Sequence, residues 1–172
     1  MKKDSKVFRL VLLSIFVAME IVLSRFLSFS TWNTKIGFAF LPVAAAAILM
    51  GPLQAAVVGG VADVLGAILV PIGAYFPGFT VTAALTGVVF GLFFHKEQTV
   101  PRVLGAVLIN QFILGLLINS YWISVLYGRY YRELLVTRFT QSVILTVVQT
   151  AGILALAKLL KRIRPSIPAE VR

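Results

Sequence analysis

Few side chains in this sequence can do chemistry, and most of them sit inside or beside long apolar runs. Glu20 and Asp63 are the two carboxylates within such runs. A carboxylate in hydrocarbon is costly, so each is a candidate for relaying a proton, pairing a cation or accepting a ligand's hydrogen bonds. Plainer roles compete: Glu20 can snorkel to an interface beside Arg25, and Asp63 can hydrogen-bond a neighbouring helix. Arg25, Lys35, Arg129, Arg132 and Arg138 fall in segments that also collect aromatics, among them Phe26, Phe29, Trp32, Tyr75, Phe76, Tyr121, Trp122, Tyr127, Tyr130 and Tyr131. Cations interleaved with flat rings suit a planar anion, although an interfacial aromatic belt with solvated charges has the same make-up. There is no Walker A pattern, no HExxH and no Gly-x-Ser-x-Gly, so neither ATP nor peptide bonds are hydrolysed by a known arrangement. Zero cysteines and a single histidine, His95, exclude disulfides, thiolate sites and His-rich metal centres, and leave the redox compartment unreadable. No catalytic or metal site is expected, and energy for any transport must come from elsewhere.

The elements that would position these groups are membrane spans. Of 172 residues, 59% are hydrophobic and only 13% charged, against about a quarter charged in an average soluble domain. The formal net charge of +10 alone would suit nucleic acid or a membrane surface; a mean hydropathy of +0.97 decides for the membrane and against nucleic acid. A span needs roughly 20 apolar residues. The expectation is an all-α integral membrane protein, one domain over 1–172, with six transmembrane helices near 8–24, 37–50, 53–70, 79–94, 103–120 and 139–160. The second run is short, and Gly51-Pro52 turns tightly into the third. The first begins behind Lys2, Lys3, Lys6 and Arg9 but is long, contains Glu20 and lacks a small-residue cleavage pattern, so it reads as a span and not a secretory signal. Eleven basic residues, from Lys2 to Arg9, Lys96 and Arg102, and from Lys158 to Arg172, gather at one set of span ends; the other five lie opposite. The positive-inside rule then puts both termini in the cytoplasm. The five outer cations have no topological reason to be there. Ser14 and Ala18, and Ala83, Gly87 and Gly91, form four-residue stripes of small residues. Such stripes let helices pack closely or dock on another membrane protein.

The sequence resembles a known family, the substrate-capturing S components of energy-coupling-factor (ECF) vitamin transporters, and within it the folate-specific branch. The likeness rests on Arg25-Phe-Leu-Ser, on Lys35-Ile-Gly-Phe-Ala-Phe-Leu-Pro42, on Gly51-Pro52 and on Gly60-Val-Ala-Asp63-Val-Leu-Gly66. It continues through Pro71-Ile-Gly-Ala-Tyr-Phe-Pro-Gly-Phe-Thr80 into Thr86-Gly87, and ends with Arg138 followed by Gln149. Two departures stand out: Lys35 where many folate-type members have arginine, and Gln141 where a lysine is expected.

The resemblance implies a bacterial multi-pass protein that binds folate in an outward-facing pocket. It also implies a complex with a transmembrane coupling subunit and two cytoplasmic ATPases, which would explain the missing nucleotide motif. Ser14 and Ala18 become the contact with the coupling subunit, and no cofactor is called for. Folate offers a flat pterin with a donor–acceptor edge, a benzoate linker and two tail carboxylates. Arg25 would stack on the pterin or bond its edge, and Asp63 would accept from ring amino and N–H groups. Phe76, Phe79, Tyr121 and Trp122 offer stacking faces. Asn33, Lys35 and Arg138 would meet the tail or the ring carbonyl, with Asn119 a further contact. Two other readings stay open: an S component for another vitamin such as pantothenate, and a proton-coupled secondary transporter using Glu20 or Asp63 as relay. The second lacks support from any inverted repeat between the first and last three spans.

Overall fold

The computed structural model describes residues 2–30 and 35–163, with side chains described for 6–28 and 37–162. The chain is nearly all helical. Helix α1 (Lys2–Arg25) leads into a short antiparallel hairpin, β1 (Ser28–Ser30) and β2 (Lys35–Gly37), with Phe29 opposite Ile36. Helices α2 (Phe40–Met50), α3 (Pro52–Leu69) and α4 (Pro77–Phe94) follow. A continuous helix α5 (Val100–Tyr127) and a long α6 (Tyr131–Ile163) complete the bundle. Prolines in the first turns of α3, α4 and α5 set their starts, where a missing N–H costs nothing.

Among the described residues five helices are long and apolar enough to cross a membrane; α2 is not. The apolar run from 37 yields helix only from Phe40, because residues 35–37 pair in the hairpin. At 1.5 Å per residue α2 reaches only about 16 Å, roughly half the hydrocarbon thickness. Its residues Pro42–Met50 are all buried, and it touches α1, α3, α4 and α6. The run Val43-Ala-Ala-Ala-Ala47 explains this, since methyl side chains let four neighbours close around one helix. Gly51 ends α2 at φ 96°, a backbone angle glycine adopts without strain, and the chain reverses directly into α3. Because α2 starts only at Phe40 and is half a span long, the bundle centre on the hairpin side of its first turn is left open. That is where the cavities lie.

The stripes of small residues pack α3 against α4. A Cβ on Gly59 would sit 2.5 Å from the Ala83 carbonyl oxygen, one on Gly87 would collide with the Ala55 backbone, and one on Gly91 with Pro52. These contacts make the helix pair a stiff wall.

Two stretches depart from the sequence-based outline. Residues 121–138, expected to be an outer loop, are helical except for a turn at 128–130. Gly128, at φ 62°, stops α5, and α6 starts with Glu133 in its first turn, where a carboxylate favours the helix N-terminus. Of the tyrosines and arginines that suggested a loop, only Arg129 and Tyr130 lie in the turn; Tyr121, Tyr127, Tyr131, Arg132 and Arg138 are helical. The second departure is inside α5: Ile109–Ile118 winds as a π-helix between α-helical flanks Val100–Leu108 and Asn119–Tyr127.

Candidate functional site

Two adjoining cavity lobes occupy the bundle above α2. One, of about 310 Å³, is lined by Arg25 from the end of α1, Asp63 and Ala67 of α3, the Gly73–Phe76 loop, and Phe79 and Ala83 of α4. The other, of about 250 Å³, is lined by Gly37, Ala39 and Phe40 at the base of the hairpin, with Asn110, Gln111, Leu114 and Gly115 of α5. Arg138, Gln141, Leu145 and Gln149 of α6 complete it. Thr82, Thr86 and Asn119 border both. Together the lobes fall within the usual size range of small-molecule pockets.

In the first lobe Thr80 Oγ1 donates to Asp63 Oδ2 at 2.7 Å, and the Tyr75 hydroxyl lies 3.1 Å from Thr80 Oγ1. With the Thr80 proton committed to the carboxylate, Tyr75 is the donor in that second contact. This chain ties the Pro71–Phe76 loop to α3 and leaves Asp63 with acceptor capacity for a ligand. The Arg25 guanidinium lies against Gly66, whose Cβ, if present, would be 2.8 Å from Arg25 Nε and 3.0 Å from Nη2. Glycine is therefore needed at 66 for the guanidinium to lie where it does. Arg25 Nε has no hydrogen-bond partner. The rings of Phe76 and Phe79 meet edge to face at 6.1 Å between centroids.

In the second lobe Arg138 Nη1 donates to Ser120 Oγ at 3.3 Å, and its Nε is buried without a partner. Ser120 is fully buried on α5, so the guanidinium is held from behind. Four residues of α6, Arg138, Gln141, Leu145 and Gln149, share one face because they are three or four positions apart. Buried polar atoms without partners line this lobe: Asn119 Oδ1, Gln149 Oε1 and both polar atoms of Asn110. A buried polar atom left unpaired costs about 1–3 kcal/mol, so such a wall is built to be satisfied by a polar molecule.

The structure thus brings Arg25, Asp63, Phe76, Phe79, Asn119 and Arg138 together around one two-lobed cavity. It does not bring in Tyr121, which is 52% exposed and lines neither lobe. Its ring instead meets that of the neighbouring Trp122 edge to face, at 5.2 Å between centroids. Trp122 also stays out of the lining but backs it, donating from Nε1 to Thr82 Oγ1 at 3.1 Å and packing on Phe76 at 5.5 Å. Asn33 and Trp32 lie outside the described residues. Lys35 is on β2, its side chain also outside them. Ser14 and Ala18 lie exposed on α1, away from the cavity. Missed from the sequence were Thr82, Thr86, Asn110, Gln111 and Gln141 as lining, although carboxamides inside an apolar run are a readable signal.

Helices long and apolar enough to cross a membrane, gathered around a polar cavity, fit a membrane protein that binds a small ligand. The comparisons give the family. The family model of the ECF-type riboflavin transporter, S component, matches residues 4–164, and the chain belongs to that family. It is 45% identical over 112 residues to the folate transporter FolT of Clostridium novyi, covering 64% of this chain and 65% of that one. To the folate transporter FolT of Leuconostoc mesenteroides subsp. mesenteroides it is 35% identical over 97 residues, covering 56% and 51%. The matches thus span between half and two thirds of the length of these curated relatives. A crystal structure of FolT bound with folic acid aligns at a TM-score of 0.81 and 33% identity, over 86% of this chain and 90% of that one.

Proposed function

We propose that this protein is the folate-capturing S component of an ECF-type importer in a bacterial cell membrane. In this reading the cavity opens outward. The family name points to riboflavin and the relatives to folate, so the pocket chemistry must arbitrate. The observation that carries the reading is that each lobe holds an arginine, Arg25 and Arg138, and neither makes an ion pair among the described residues. Riboflavin is uncharged and would leave both guanidiniums uncompensated. Folate brings two carboxylates and a ring carbonyl, which charge-assisted hydrogen bonds from arginine suit.

The remaining groups follow. Phe76 and Phe79 offer ring faces, with Trp122 behind them. Asp63 accepts from an amino or N–H group of the ligand. The family resemblance implies that Asn33 and Lys35 would meet the tail or the ring carbonyl. Ser14 and Ala18, the exposed small face of α1, would dock on the transmembrane coupling subunit, with two cytoplasmic ATPases supplying the energy. The test is uptake of labelled folate by vesicles holding this chain with or without a coupling subunit and ATPases. Uptake requiring ATP and those partners supports the reading. Uptake by the chain alone that collapses with an uncoupler would make it a proton-coupled carrier.

A further inference from the structure

We infer that Asn110 is a specificity-determining residue that pairs with the donor–acceptor edge of the ligand's heterocycle, and that the π-helical winding of α5 puts it there. The inference rests on the folate reading and adds to it the direction in which the ligand lies. Asn110 is 6% exposed, lines the amide-rich lobe and has both its Oδ1 and Nδ2 buried without a partner. A carboxamide presents one acceptor and one donor side by side. A carboxylate satisfies only the donor and faces the acceptor with negative charge; an extended amide points its C=O and N–H in opposite directions. A ring edge carrying an N–H beside a carbonyl or ring nitrogen satisfies both atoms at once, as the pyrimidine half of a pterin does.

The backbone shows why the residue is available. In an α-helix nine residues make two and a half turns, which would put Asn110 and Asn119 on opposite sides of α5. Both line the cavity, because the intervening Ile109–Ile118 stretch winds more slowly, in i→i+5 fashion. Gly115 lines the same lobe, and a Cβ there would lie 3.0 Å from the Asn110 carbonyl oxygen. With the heterocycle against Asn110 in the Arg138 lobe, the glutamate tail extends towards Arg25. That reverses the placement the sequence suggests.

The experiment measures folic acid and pteroic acid, which lacks the glutamate, on purified wild type, Asn110→Leu and Arg25→Ala. Leucine keeps the branching and heavy-atom count of asparagine and removes both polar atoms. Asn110→Leu should weaken both ligands by the same factor, about 10- to 100-fold for two hydrogen bonds, while the melting temperature of the ligand-free protein stays level or rises. Arg25→Ala should weaken folic acid more than pteroic acid. Gly115→Ala, which leaves the Asn110 side chain intact, should reproduce the Asn110→Leu loss in part. Unchanged folic acid affinity in Asn110→Leu overturns the inference and leaves the folate reading standing. A loss seen with folic acid and absent with pteroic acid also overturns it, because Asn110 then meets the tail. A wild type that binds riboflavin and not folic acid ends the folate reading alone. The Asn110→Leu comparison then runs with riboflavin, whose pyrimidinedione has the same kind of edge: loss sustains the role of Asn110, and no loss overturns it.

Discussion

Replacing Gly66 with alanine isolates what Arg25 does without altering any group that lines the cavity. The new methyl would lie 2.8 Å from Arg25 Nε, 3.0 Å from Nη2 and 3.3 Å from Cζ. The guanidinium must retreat by about 0.6 Å to reach the 3.4 Å of ordinary contact. A displacement of that size stretches a 2.9 Å hydrogen bond to the edge of the useful range. Deleting a charge-assisted bond costs about 1.5–3 kcal/mol; weakening one should cost about half, so folic acid affinity should fall about 4- to 13-fold. The fold should not suffer. The atoms in the way are the end of a flexible side chain, and alanine in a helix interior is favoured over glycine by about 0.5–1 kcal/mol. Titration calorimetry in detergent, paired with thermal unfolding of the ligand-free protein, reads both effects. Wild-type affinity in Gly66→Ala would refute the placement of Arg25 against the ligand. Equal losses of stability and affinity would show that the glycine matters for packing instead.

Three further outcomes follow from the same geometry. Arg138→Gln keeps a donor for Ser120 but removes the charge, and should lower folic acid affinity about 10- to 150-fold while leaving the melting temperature of the free protein unchanged, as seen by equilibrium binding and differential scanning fluorimetry. Gly87→Val forces a side chain into the Ala55 backbone and should destabilise the α3–α4 pair by about 1–3 kcal/mol or more, read as a lower unfolding midpoint with or without ligand. Tryptophan at Ser14 or Ala18 should leave folic acid binding at wild-type strength and abolish ATP-driven uptake, as measured in vesicles containing the coupling partners.

How much of this was readable in the residues differs from element to element. The Gly-Ala-Tyr-Phe-Pro-Gly-Phe-Thr stretch was legible because proline and glycine punctuate it and its tyrosine and threonine have few other uses in a membrane loop. Asp63 was legible because a carboxylate in an apolar run has to be explained. Tyr121 lines neither lobe and packs on Trp122, because composition cannot tell which way a helical residue points, and the helix itself continues through a segment whose tyrosines and arginines look like loop. The shortness of α2 was visible, but its consequence, an unfilled bundle centre, appears only once four neighbours close around it. The π-helical stretch had no signature at all. Ile109–Ile118 is apolar on most sides, so no periodicity marks a change of winding, and Asn110 and Asn119 fall on opposite faces for anyone counting 3.6 residues per turn.

The central claim is that two arginines in one cavity select an anionic pteridine over a neutral flavin. Titrating the purified chain with folic acid and with riboflavin, each at the same temperature and ionic strength, tests it most directly. Saturable binding of folic acid at one site per chain, with riboflavin unable to displace it, is the predicted result; saturable riboflavin binding without folic acid binding would contradict the account.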